Sequence, residues 1–139
     1  MLHIMKLAVG ARDVSHMRFY QTQRAANDPP LRHKTRNFPR RAPEILQGGS
    51  MYWVVAGVVM VRQGIVDIVP DTRDDGAACA ALLLHPELIP VAGRPVKAFQ
   101  GWRYLTTADA PPDLAAMGDN GVAELPAKMQ HELRRLGLL

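Results

Sequence analysis

The alternation of apolar and polar positions divides this chain into short, punctuated segments. Residues 3–9 are mainly apolar and end at Gly10, which reads as a first strand. Asp13 stands where a helix N-cap is expected, ahead of a helical stretch over 14–26. Asn27-Asp28-Pro29-Pro30 ends that helix, because consecutive prolines cannot continue it and drive the residue before them into extended backbone. Residues 31–37 read as a short extended piece. Pro39 then opens a brief helix over 40–46, closed by Gln47-Gly48-Gly49-Ser50.

Residues 51–69 carry the densest β signal, rich in valine, isoleucine and aromatic side chains, with Gly57 and Gly64 as sites for a turn or bulge. They predict two antiparallel strands, at about 51–56 and 58–69. The Asp-Asp-Gly of 71–76 is hairpin-loop chemistry, and 79–84 is the returning strand. Pro86 and Pro90 confine 89–91 to a short edge, and 99–105, interrupted by Gly101, forms a last aromatic strand. Beyond it a weak helix is expected around 113–117. A better specified one follows at about 127–136, with Leu125, Met129, Leu133 and Leu136 on one stripe and Gly137 as a C-cap. The fold class this predicts is α+β: a small, mostly antiparallel sheet curled into a partial barrel, with helices at both ends, forming a single domain over 1–139.

Composition supports a folded core, since 47% hydrophobic and 22% charged residues lie far from the balance of a disordered chain. The lone Cys79, flanked by alanines, cannot form an internal disulfide and reads as a buried thiol, so a reducing, cytoplasmic setting is expected. The N-terminus lacks the pattern of a signal peptide, and the longest apolar run, 51–61, is short of the roughly 18 to 20 residues that a membrane helix needs. No membrane association is expected.

The net charge of +4 matters less than its distribution. Arg32, Lys34, Arg36, Arg40 and Arg41 fall within 31–43 without a single acid, alongside His33, Thr35, Asn37 and Phe38. These are the parts of an RNA contact: guanidinium and ammonium groups for phosphates, a ring for stacking, and polar side chains for base edges. The alternative is a solvated basic face with Phe38 turned into the core. A second concentration, Phe99-Gln100-Gly101-Trp102-Arg103-Tyr104-Leu105, sets three rings beside a cation. Strand alternation places Trp102 and Tyr104 on one side and Arg103 on the other, as in a ligand platform or an ordinary core strand. Tyr52 and Trp53 point to opposite faces of their strand, so at least one belongs to the core.

The remaining chemistry is sparse. The five histidines include no i, i+4 pair, one cysteine excludes paired-thiolate zinc, and no phosphate-cradling glycine loop opens a helix. No catalytic residue, metal site or cofactor is assigned. His85-Pro86-Glu87 places an imidazole near a carboxylate, at a spacing too loose to single out a reaction.

The segments Leu31-Arg32-His33-Lys34-Thr35-Arg36, Pro39-Arg40-Arg41, Gly48-Gly49-Ser50-Met51-Tyr52-Trp53-Val54, Val61-Arg62-Gln63-Gly64-Ile65, His85-Pro86-Glu87-Leu88 and Phe99-Gln100-Gly101-Trp102-Arg103-Tyr104-Leu105 resemble an alphaproteobacterial domain of unknown function, family 1489. The resemblance implies a fold and no activity. The order of elements is also similar to the PUA and ASCH group of small barrels, which implies RNA or modified-base binding in a cleft beside the barrel.

The leading expectation is thus a non-enzymatic RNA-binding module. Arg32, Lys34, Arg36, Arg40 and Arg41 would meet phosphates while Phe38 or Trp102, beside Arg103, stacks a base. The alternative is a small-molecule enzyme or anionic-ligand binder whose cleft is built by Arg62, Gln63, Gln100, Trp102, Arg103 and Tyr104. A third reading has the basic segment dock an acidic partner or a ribonucleoprotein surface.

Overall fold

The computed structural model describes residues 1–116. In chain order the elements are β1 (Leu2–Leu7), α1 (Val14–Asn27), β2 (Arg32–Thr35), α2 (Ala42–Ile45), β3 (Ser50–Val55), β4 (Val58–Thr72), β5 (Ala78–Leu84), β6 (Ile89–Pro95) and β7 (Trp102–Thr106). The α+β partial barrel expected from the pattern is what the chain forms. Its strands hydrogen-bond in the order β2-β5-β4-β3-β1-β7, with β6 added on β4, and the sheet does not close.

The cause of the curl lies in β4. Its first part pairs with β3 and β6, while its continuation from Ile65 to Thr72 pairs with β5, so one 15-residue strand serves both halves of the sheet. Register shifts between Trp53 and Val54, between Val59 and Val61, and between Ile65 and Asp67 supply the extra twist that bends a ladder. β3 sits at the centre and all six of its residues are buried, which requires apolar cover on both faces. One face joins the main core, in which Ile4, Met51, Trp53, Val61 and Leu82 meet Val14 and Met17 of α1 and Ile45 of α2. The other joins a smaller cluster of Tyr52, Val54, Val59, Val91 and Leu105. Tyr52 and Trp53 thus each belong to a core, one on either side.

Local chemistry explains the helices. The Asp13 carboxylate accepts a hydrogen bond from the His16 N–H at 2.8 Å, capping α1, and the helix ends before Pro29-Pro30. Gly49 follows α2 where the chain passes so close to β1 that a Cβ would strike the carbonyl oxygens of Leu2 and Ile45. Only glycine fits there. Cys79 is buried, as its alanine neighbours suggest.

Four expectations need adjusting. β1 runs Leu2–Leu7 rather than 3–9, and it pairs in parallel with β3, the exception in an otherwise antiparallel sheet. β6 is a seven-residue strand lying on β4 rather than a three-residue edge, because Pro90 and Pro95 fall where no ladder N–H is needed. β7 begins only at Trp102, after Gly101 turns the chain in the left-handed region at φ 70°. The helix expected at 113–117 is seen as a helical turn from 114 to 116, and the one expected at 127–136 lies outside the described residues.

Candidate functional site

Because the sheet stays open, its two end strands need not meet. β2 and β7 instead form opposite walls of a cleft of about 650 Å³, floored by β1. Lys34 and Arg36 come from β2 and the turn after it, Arg73 from the hairpin that follows β4, Lys6 from β1, and Gln100, Gly101 and Trp102 from the approach to β7. Among the described residues four cations line this cleft and no carboxylate does. Residues 33–37 of the basic segment and 100–102 of the aromatic segment therefore share one concave surface. A Cβ built on Gly101 would meet nothing within 4 Å, so its backbone lies open to the cleft.

The cations differ in how far they are already engaged. Lys34 donates from Nζ to the Thr72 carbonyl at 2.8 Å and stands 3.7 Å from the Asp71 carboxylate. Among the described residues no carboxylate pairs with Lys6, Arg36 or Arg73. Burial lowers the Lys6 ammonium below the ordinary lysine value, which marks it as partly desolvated at the cleft floor. Lys6 is the register partner of Trp102 across the β1–β7 ladder, and the Trp102 ring is half-buried, edge-on to Tyr104 with centroids 4.9 Å apart.

His33 sits behind these groups. Its ring meets the Trp53 indole edge-on, with centroids 5.5 Å apart, and its Nε2 is the one buried side-chain polar atom among the described residues without a hydrogen-bond partner. Burial first, and then the charges of Lys6 and Arg24, push its pKa down to about 4, so the ring is neutral near pH 7.

The other sequence candidates are distributed elsewhere. Arg32 is held by the Asp28 and Pro30 carbonyls and by the Asp28 and Asp71 carboxylates, all within 3.5 Å, so it braces β2. Arg41 makes a two-pronged ion pair with Glu44, at 2.6 and 2.9 Å, and lies over the Tyr104 ring, whose hydroxyl accepts the Arg41 N–H. Arg40 and Phe38 are exposed outside the lining of the cleft, so Phe38 is not a core residue. Arg103 points to the opposite face of β7, over Phe99 at 5.0 Å.

Arg62 and Gln63 do not reach the cleft. The Arg62 guanidinium grips both oxygens of Asp113 at 2.7 and 2.8 Å and also donates to Ser50 Oγ. That hydrogen bond holds the Asp113 carboxyl below the usual aspartate range. Gln63 is fully buried: its Oε1 accepts from Trp53 Nε1 and Gln21 Nε2, and its Nε2 donates to Gln21 Oε1 and the His85 carbonyl. Every hydrogen-bonding position of that amide is filled. Of the alternative set, Gln100 and Trp102 alone line the cleft.

Lys6 and Arg73 escaped the sequence reading. A lysine amid the apolar residues of β1 was the available signal, since a strand with both faces covered has little reason to carry one. Among the described residues no cluster of three His, Cys, Asp or Glu side chains could hold a metal, and no helix is long and apolar enough to cross a membrane.

The family model described as Protein of unknown function (DUF1489) matches residues 4–139. The chain belongs to that family. DUF1489 carries no assigned activity, so the chemistry has to be read from the cleft itself. No curated protein and no solved structure matches the chain.

Proposed function

We propose that the cleft between β2 and β7 binds single-stranded RNA, with Lys6, Lys34, Arg36 and Arg73 neutralising phosphates and Trp102 offering a ring face. The observation that carries this reading is the joint lining of one concave surface, among the described residues, by four cations and an indole without a carboxylate. Cations alone describe many surfaces, but cations beside a half-buried ring match how unpaired strands are held, through phosphate contacts plus base stacking. A single strand also suits a groove between the two end strands of the described sheet better than a rigid duplex does. The similarity of element order to the PUA and ASCH barrels agrees with this reading, as does a cytoplasmic setting. The role assigned to the basic segment narrows to Lys34 and Arg36, which line the cleft, whereas Arg32, Arg40 and Arg41 lie outside its lining.

The test is quenching of Trp102 fluorescence by a short single-stranded RNA at two salt concentrations, with Trp102→Phe as the control. Three to four neutralised phosphates give a log-log salt slope of about −2 to −3, from roughly −0.7 per contact. Single-stranded DNA in a parallel arm measures any preference for ribose. Absence of binding at low salt would remove the proposal.

A small anionic ligand is the second reading, favoured by the enclosed volume. About 650 Å³ falls within the roughly 300–1,000 Å³ of small-molecule pockets. Competition by free mononucleotide against the RNA distinguishes the two.

A further inference from the structure

The cationic cleft has a neighbour. A second cleft of about 170 Å³ lies beside it, walled by Leu7, Met17, Tyr20 and Trp53, and shares both Lys6 and His33 with the first. The outer one carries four cations, the inner one is small and combines rings and aliphatic side chains with Lys6, Gln21, Arg24 and His33, and the two meet at an imidazole and an ammonium. A nucleotide can use such a pair, its phosphate on the cationic surface and its base on the adjoining one that carries the rings.

We propose that the inner cleft receives one pyrimidine base of the bound strand, with His33 at the junction completing its hydrogen bonds on the base edge. This rests on the reading of the outer cleft as the phosphate site. The size argument is direct: a cavity of about 150 Å³ holds one benzene-sized ring, and 170 Å³ leaves little room for a fused pair. The indole of Trp53 and the phenol ring of Tyr20 supply aromatic walls. His33 supplies the polar element. Its Nε2 is buried without a hydrogen-bond partner among the described residues, and a tilt of the ring toward either cleft would hand a ring nitrogen to a guest. A neutral imidazole offers one donor and one acceptor, which complements the mixed donor and acceptor edge of a pyrimidine. The groups facing it are cations, Lys6 from β1 and Arg24 from α1, with the Trp53 ring edge from β3, and all three also line the inner cleft.

The experiment compares oligouridylate, oligoadenylate and inorganic polyphosphate of matched charge on the wild-type protein, on Ala11→Leu and on His33→Phe. Ala11 lines the inner cleft alone, so its enlargement blocks the base while leaving the cationic lining untouched. Wild type is expected to bind oligouridylate about tenfold more tightly than either other probe, a difference of the size that one lost base contact gives. In both variants the margin over oligoadenylate should disappear, and in Ala11→Leu, which lies outside the cationic lining, polyphosphate binding should be unchanged. Equal binding of oligouridylate and oligoadenylate, or a margin that survives Ala11→Leu, overturns the base pocket and leaves the phosphate cleft standing; failure of all three probes overturns both. Should the variants not fold, NMR of the wild-type His33 ring nitrogens decides. They should shift more with oligouridylate than with polyphosphate, since His33 lines both clefts, and equal shifts with the two probes, or none with oligouridylate, refute the inference. Displacement of oligouridylate by uridine monophosphate at similar concentration identifies a free nucleotide, rather than a strand, as the source of the base.

Discussion

Lys6 stands opposite Trp102 across the β1–β7 ladder, so an ammonium group and an indole stand side by side in the lining of the open cleft. Directly paired residues on antiparallel strands project to the same face, so the strand register itself fixes this pairing of charge and ring. Side chains on two flexible loops would have no such constraint.

Charge removal inside the cleft should therefore act differently from charge removal outside it. Arg36→Ala and Arg73→Ala are each expected to weaken RNA binding by roughly fivefold and to make the salt slope shallower by about 0.7. Arg40→Ala, at an exposed position beyond the lining, should change neither by as much. Anisotropy titrations over a series of salt concentrations give both quantities. Equal losses at all three positions would indicate a diffuse basic surface.

His33 makes stability depend on pH. Its folded pKa of about 4 lies below the ordinary 6.5, so between those values the unfolded chain binds the additional proton. The stabilisation from keeping this ring neutral is fully present above pH 6.5 and is lost as pH falls toward about 4. The linkage corresponds to a loss on the order of 3 kcal/mol across that window. Urea unfolding of wild type and His33→Phe at pH 7 and pH 4.5 measures it. The wild-type midpoint should fall more steeply with acid than that of the variant, and parallel curves would contradict the assignment.

The Arg62–Asp113 pair is structural. Asp113→Asn should cost about 1–2 kcal/mol, the lower part of the range for hydrogen bonds to charged groups because both side chains are partly exposed. The Asp113 carboxyl titrates below its unfolded value, so this contribution is present above about pH 4 and fades as pH drops through the folded pKa. Denaturation of the two proteins should converge in acid. RNA affinity near neutral pH should be unchanged, which separates this clamp from the cleft.

Gly49→Ala should be among the most damaging single substitutions. The added methyl would collide with two backbone carbonyls, which no side-chain rotation can relieve, where the end of α2 crosses β1. We expect loss of soluble folded protein, or a melting temperature lower by many degrees. Gly76→Ala provides the contrast. It shares a positive φ of 84° with other turn glycines but has open space around it, so the cost should be only about 1 kcal/mol.

The strands were legible because their signals are local: the valine-rich run of β3 and β4, the Asp-Asp-Gly loop before β5 and the Asp13 cap of α1 are each written within a few residues. The seam was not. It depends on β1 pairing in parallel with β3, which leaves β7 as the far edge, and on β4 bending to carry β5 and β2 around to face it. The basic segment was recognised as a unit but not sorted, because Asp71, which approaches both Arg32 and Lys34, lies far along the chain, although the nearer partner of Arg32, Asp28, is only four residues away. Arg62 looked available for an anion for the same reason, its partner Asp113 lying 51 residues away. Trp102 and Gln100 were recognised from a local aromatic cluster, whereas Lys6 and Arg73 became neighbours of that cluster only through long-range pairing.

The most direct check of the central claim is to map where RNA touches the protein. A ¹⁵N-labelled sample titrated with a short single-stranded RNA should show its largest shifts at the Trp102 indole N–H and at the amides of Gly101, Lys34 and Arg36. Shifts confined to the outer face around Phe38, Arg40 and Arg103, or none at low salt, would contradict the account.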